Sequence, residues 1–192
     1  MSYHIYVTKA HIIDSYPVGE ANKFYVLFAR ELGVIWATAQ GVRLAKSKLR
    51  PLLEPYRELS ISLVRGKDTW RITDVEVVQN FQRIKNNKEL KQLVATHTKL
   101  IRRLVHGETE IAALYDFFIG GLSFLENTKE ISRNFLVGYE LLISDYILSS
   151  LGYGNDEIKS PEIISQEAIN FVFNKKDVFA LHIKKALESS HL

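Results

Sequence analysis

The residues with the clearest chemistry are cations. Gly41 to Arg50, GVRLAKSKLR, carries Arg43, Lys46, Lys48 and Arg50 with no carboxylate among them. Guanidinium and ammonium groups spaced along a loop can neutralise successive phosphates of a polyanion, holding its backbone without reading base edges. Two further groups repeat the pattern: Arg65, Lys67 and Arg71 around an expected hairpin turn, and Lys85, Lys88, Lys91, Lys99, Arg102 and Arg103 on one side of an expected helix. A solvated surface accounts for any single one of these residues. Three such groups in one chain point to nucleic acid.

Other chemistries find little purchase. Cysteine is absent, which removes disulfides, thiolate zinc sites and cysteine nucleophiles. No phosphate-binding glycine loop, dinucleotide fingerprint, HExxH or GxSxG occurs; Gly120 to Phe124 reads GGLSF. The histidines are scattered, and His97 falls on an apolar helix face, where a hydrogen-bonded core residue is expected rather than a metal ligand. Glu108 with Glu110, and Asp156 with Glu157, read as helix-terminal charge rather than as acid/base pairs. The expectation is a protein without cofactor or metal and without an enzymatic activity.

Charge is unevenly spread. The net charge is +3 at pH 7, yet residues 1–103 hold 18 Lys and Arg against 9 Asp and Glu, and residues 104–192 hold 7 against 13. The first part therefore suits a polyanion, and the second suits solvent or protein partners. At 46% hydrophobic and 24% charged residues, the chain can bury a real core. No signal-peptide pattern opens the sequence, and the longest apolar stretch, Leu114 to Leu125, is broken by Asp116, Gly120 and Gly121. The expectation is a soluble intracellular protein.

The elements that must position these cations follow from periodicity. Runs rich in β-branched and aromatic residues predict strands at 3–13, 22–29, 34–40, 56–65 and 69–79, with turns at Glu31-Leu32-Gly33 and Arg65-Gly66-Lys67-Asp68. Five strands with a long connection at Gly41 to Pro55 fit a five-stranded oligonucleotide-binding (OB) barrel. Trp36 and Trp70 serve either its core or base stacking. Beyond Phe81 the period becomes helical. From Lys85 to His106, Leu90, Leu93, Val94, His97, Leu100, Ile101, Leu104 and Val105 share one side, opposite a basic one. Gly107 ends this helix, Thr109 caps the next from Glu110 to Leu125, a third spans Ser132 to Leu151, and a last lies near Val178 to Leu187. The fold class is α+β, with an OB-fold domain over 1–81 and an all-α helical domain over 82–192.

The stretch GEANKFYVLFARELGVIWATAQGVRLAKSKLRPLLEPYRELSISLVRGKDTWRIT, Gly19 to Thr73, resembles the N-terminal domain of the bacterial recombination mediator RecO. The resemblance rests on Gly19-Glu20-Ala21-Asn22, Glu31-Leu32-Gly33-Val34, Gly41 with Arg43, Lys46-Ser47-Lys48-Leu49, Pro55, and Leu63-Val64-Arg65-Gly66. Phe135 to Gly154, FLVGYELLISDYILSSLGYG, is similar to the family's penultimate helix. Many members carry a four-cysteine zinc element, which this cysteine-free chain lacks.

The resemblance implies a non-enzymatic, cytoplasmic, nucleoid-associated protein of bacterial DNA repair. Such a protein binds single- and double-stranded DNA, anneals complementary strands and helps load RecA onto DNA coated by single-strand-binding protein. Its implied partners are RecR and the acidic tail of that coating protein. For the tail, the expected surface is a cleft between the helices at 110–125 and 132–151, with Phe117, Phe118 and Phe135 apolar and Arg133, Arg102 and Arg103 pairing with carboxylates. Two other readings stay open: an RNA-binding OB module, and an adaptor that docks acidic proteins.

Overall fold

The computed structural model describes residues 4–67, 69–109, 111–154 and 161–190. Tyr3, Asp68, Glu110, Asp156 and Glu157, each used in the sequence reading, lie outside the described residues. The chain divides into two compact units, Met1–Lys85 with His106–Ala112, and Asn86–Val105 with Ala113–Leu192.

The first unit is a closed barrel of β1 (Ile5–Val18), β2 (Asn22–Ala29), β3 (Gly33–Ala39), β4 (Arg57–Arg65) and β5 (Trp70–Asn80), in the order β1-β2-β3-β5-β4. Neighbours are antiparallel except β3 and β5, whose parallel pairs Ala37 with Trp70 and Thr38 with Arg71 close the barrel. This is the five-stranded OB arrangement. β1 runs beyond its expected end at residue 13. A register shift between Ile12 and Asp14 bends the strand, so that its first half pairs with β4 and its second half with β2.

Alternation decides what the barrel buries. Tyr25, Leu27 and Ala29 of β2, Ile35, Ala37 and Ala39 of β3, and Leu59, Ile61 and Leu63 of β4 point inward, joined by Trp70, Ile72 and Val75 of β5. Gly33 opens β3 at φ +70, and a Cβ there would stand 2.9 Å from the Thr109 carbonyl oxygen and 3.0 Å from that of Gly107. Only glycine admits both this backbone and this approach. Thr109 was expected as a helix cap. It sits instead where residues 107–109 lie against Gly33 at the β2–β3 turn, and the next helix begins at Ala112.

After the short α1 (Gln82–Asn86), the helical unit holds α2 (Lys88–Leu104), α3 (Ala112–Asn127), α4 (Arg133–Leu148), a π turn (Ser149–Tyr153), α5 (Gln166–Asn174) and α6 (Lys176–Ser189). The single helix expected from Lys85 is broken at Asn87, whose side chain caps α2 by accepting from the Leu90 N–H at 3.1 Å. Ser132 and Ser165 cap α4 and α5 in the same way. α5 had no counterpart in the sequence reading. Small residues let these helices close up: a Cβ on Gly138 would meet the Ile169 carbonyl oxygen at 2.5 Å, and one on Gly121 the Tyr139 hydroxyl at 2.8 Å.

His97 is fully buried in α2, with Nε2 donating to the Glu140 carbonyl oxygen at 3.3 Å and Nδ1 lacking a partner. His11 is buried in the barrel and donates through Nδ1 to the Arg57 carbonyl oxygen at 3.0 Å. Burial outweighs these hydrogen bonds and pushes both imidazoles down from 6.5 to about 4. Among the described residues no group of three His, Asp or Glu side chains could hold a metal ion.

Two outcomes follow from these contacts. Replacing Gly33 with alanine forces a Cβ into the left-handed region against two carbonyls, and should cost about 1–3 kcal/mol, read as a lowered thermal midpoint. The depressed histidines make the unfolded chain bind more protons between pH 6.5 and about 4. Stability should therefore be complete above pH 6.5 and fall across that window as pH drops. His97→Gln, which keeps a donor but cannot titrate, should flatten the fall in denaturant titrations at pH 7 and pH 5.

Candidate nucleic-acid interface

The long connection between β3 and β4 is an ordered, two-sided segment. Val42 and Leu53 join the barrel core, and Leu49 and Leu52 pack against it. Successive turns are closed by Leu44 N–H to Gly41 O, Ser47 N–H to Leu44 O, and Leu52 N–H to Leu49 O, each at 3.1 Å. Arg57 reaches back from β4 to donate to the carbonyls of Pro51 at 2.6 Å and Leu52 at 3.1 Å. With Val42, Leu49, Leu52 and Leu53 turned inward, Arg43, Lys46, Lys48 and Arg50 are all exposed, as is Leu44, and none of the four cations pairs with a carboxylate among the described residues.

The same connection starts against the β1–β2 turn. The Gly41 N–H donates to Asn22 Oδ1 at 2.8 Å, the Arg43 N–H to the Ala21 carbonyl at 2.9 Å, and the Arg43 guanidinium to the Gly19 carbonyl at 2.6 Å. One residue before the connection, Gln40 lines a groove of about 500 Å³ together with Thr38, Arg65, Lys67, Trp70 and Arg71. The C-terminal end of β3 thus lies between the β1–β2 turn, against which the connection starts, and the β4–β5 hairpin, so both cationic segments meet at that one end. These are the loops that flank the ligand face of an OB barrel.

The three groove cations are held differently. Lys67 and Arg71 are exposed. Arg65 stacks its guanidinium over the Trp70 ring at 4.8 Å and is ion-paired with Glu108, whose Oε1 also accepts from the Trp70 indole N–H at 3.1 Å. Glu108, expected as helix-terminal charge, instead anchors Arg65 and Trp70. The two tryptophans have opposite fates: Trp70 is in the core at 4% exposure, and Trp36 is 42% exposed on the outside of β3.

On the helical unit, Lys88, Lys99 and Arg103 are exposed, and Lys91 and Arg102 half-buried, on the outer side of α2. Lys85 is not part of that row. It lies in α1 and pairs with Glu54 at 2.8 Å, which holds the Glu54 carboxyl below its usual range.

The phenylalanines expected to line a docking cleft are all buried, and Phe117 also lines a recess of about 830 Å³ with Gly120, Phe124 and Tyr146. Phe117, Phe118 and Phe135 are 8%, 1% and 4% exposed. Phe117 stacks on Tyr146 at 3.5 Å, and Phe135 on Tyr139 at 6.1 Å. Arg133 lines a recess with Glu89, Gln92, Thr96 and Glu140. An apolar groove that sequence reasoning missed, about 540 Å³, lies between α2, α4 and α6, where Leu100, Val137, Leu141, Ile183 and Leu187 are rimmed by Lys99 and Arg103 and, shared with the Arg133 recess, Glu140. Its signal was scattered over three helices.

A five-stranded OB barrel with exposed cations flanking its β3 face, followed by a helical unit, defines an α+β protein of the OB class. Residues 1–81 match the family described as Recombination protein O N terminal. The chain is 32% identical over 142 residues to the DNA repair protein RecO of Clostridium perfringens, covering 74% of this chain and 55% of that protein. It is 27% identical over 146 residues to the RecO of Caldanaerobacter subterraneus, covering 76% and 58%, and 29% identical over 127 residues to that of Dehalococcoides mccartyi, covering 66% and 50%. The chain belongs to the RecO family, and it spans about half the length of the curated relatives it matches.

Proposed function

We propose that this chain is a non-enzymatic DNA-binding protein of recombinational repair, which holds single- and double-stranded DNA, anneals complementary strands and assists RecA loading onto DNA coated by single-strand-binding protein. RecR is its second proposed partner. The observation that carries the reading is the pair of cationic segments at the C-terminal end of β3: Arg43, Lys46, Lys48 and Arg50 exposed on a packed connection, and Arg65, Lys67 and Arg71 at the groove. Phosphates are the partners that side chains so placed can satisfy without base-edge geometry. Annealing needs the mutual repulsion of two polyanions screened, which the cations of α2, Lys88, Lys91, Lys99, Arg102 and Arg103, would extend.

The docking site proposed for the acidic tail of single-strand-binding protein is the groove between α2, α4 and α6. Its apolar floor and its Lys99 and Arg103 rim match an acidic peptide with an apolar end better than the buried phenylalanines do.

Two measurements test these assignments. Replacing Arg43, Lys46, Lys48 and Arg50 together with alanine should weaken binding of single-stranded DNA and reduce the slope of log affinity against log salt by roughly 0.7 for each lost contact. The core residues of the connection are untouched, so the thermal midpoint should hold; an unchanged slope in the folded variant would place the strand elsewhere. A tail peptide titrated into the protein should bind in a salt-sensitive manner. Arg103→Glu should weaken that binding, and Arg133→Glu should leave it intact.

A further inference from the structure

The outer face of β2 and β3, leading to the end where the two cationic segments meet, carries an aromatic pair that phosphate binding does not use. On β2 and β3 the inward set is Tyr25, Leu27, Ile35 and Ala37. Phe24, Trp36 and Thr38 therefore point outward, with Phe24 opposite Thr38 and Trp36 opposite Val26. The Phe24 and Trp36 rings lie 5.4 Å apart at 40°, so the half-buried phenylalanine backs the exposed indole. Thr38, two residues from Trp36 on the same face, is the register partner of Arg71 and lines the groove with Lys67 and Arg65. An aromatic ring on the barrel surface is thus one step along the strand from three cations.

A large indole left 42% exposed forgoes part of the burial its size would give, and on this strand the smaller Ala37 and Ala39 take inward places. What suits a broad apolar face beside phosphate-binding cations is a nucleobase, because every base has a π face while its phosphate lies within reach of the charges. In a duplex those faces are occupied by neighbouring base pairs. We propose that Trp36, backed by Phe24, is a stacking platform for an unpaired base, and that it makes this face selective for single-stranded over paired DNA. The proposal rests on the DNA-binding reading above and assigns a separable part of it: the cations supply affinity for any strand, and Trp36 supplies the preference for unpaired bases.

The test compares a short oligothymidylate, its abasic counterpart of equal length, and a duplex, each titrated into the full chain by anisotropy. Wild-type protein should bind the thymidylate roughly five- to hundredfold more tightly than the abasic strand. Trp36→Ala should remove that difference while leaving abasic and duplex affinities and the salt slope unchanged, and Trp36→Phe should retain most of it. With only two tryptophans in the chain and Trp70 buried, thymidylate should quench wild-type fluorescence and leave the Trp36→Phe signal nearly constant. Equal wild-type affinity for thymidylate and abasic strands would overturn the stacking role while leaving phosphate binding in place. So would an equal loss on all three ligands in Trp36→Ala. Failure of the wild-type chain to bind any of the three would overturn both readings.

Discussion

Two parallel residue pairs, Ala37 with Trp70 and Thr38 with Arg71, close the barrel, and the arrangement of the candidate interface depends on them. Without that pairing β3 would be an edge, and its outer face would have no neighbour on the β5 side. With it, Arg71 is brought beside Thr38 and the β4–β5 hairpin is carried to the end of β3. The pairing is short, and other contacts hold it. Trp70 is in the core, its ring carries Arg65, and its indole N–H is anchored by Glu108. Because a buried donor left unsatisfied costs about 1–3 kcal/mol, Glu108 does more for the fold through the indole than through its half-exposed ion pair.

That Glu108 reaches Trp70 follows from the turn before β3. Gly33 lets residues 107–109 approach to within contact of its backbone, and Glu108 stands between the two residues that touch it, Gly107 and Thr109. A glycine at the start of one strand thereby fixes a carboxylate that orients a tryptophan at the start of another. The chain of contacts runs entirely within the barrel unit.

Much of the barrel was legible because strand periodicity and turn residues agree over residues 22–80, and the cationic connection was legible because it holds four cations and no acid. Three features were not. The extension of β1 depends on a bulge, which one extra residue in an apolar run does not advertise. The sides of β3 were ambiguous because VIWATA puts Trp36 and Thr38 on the outside and the smaller Ala37 and Ala39 inside, so size gives the wrong parity there and only pairing with β2 resolves it. Phe117, Phe118 and Phe135 could not be told from a docking surface, since α3 and α4 are apolar around most of their circumference and local pattern does not say which side meets another helix.

The helical unit shows why α4 has that composition. With the π turn it forms a 21-residue segment, Arg133–Tyr153, that by length and apolarity alone could cross a membrane, yet half of its most apolar window is buried by the unit itself. Gly138 admits α5 against its backbone, Tyr139 and Tyr146 meet α3, and Asp145 is buried opposite His182 of α6 at 2.5 Å. Burial pushes the Asp145 carboxyl up, and the hydrogen bond to His182 opposes it. His182 in turn donates through Nε2 to the Tyr153 carbonyl oxygen at 3.2 Å, tying α6 to the end of the π turn. An ionisable pair at that depth is tolerated only where partners enclose it. α4 is apolar because it has helices on several sides, and the Asp145–His182 contact ties α6, and with it one wall of the Lys99–Arg103 groove, to α4.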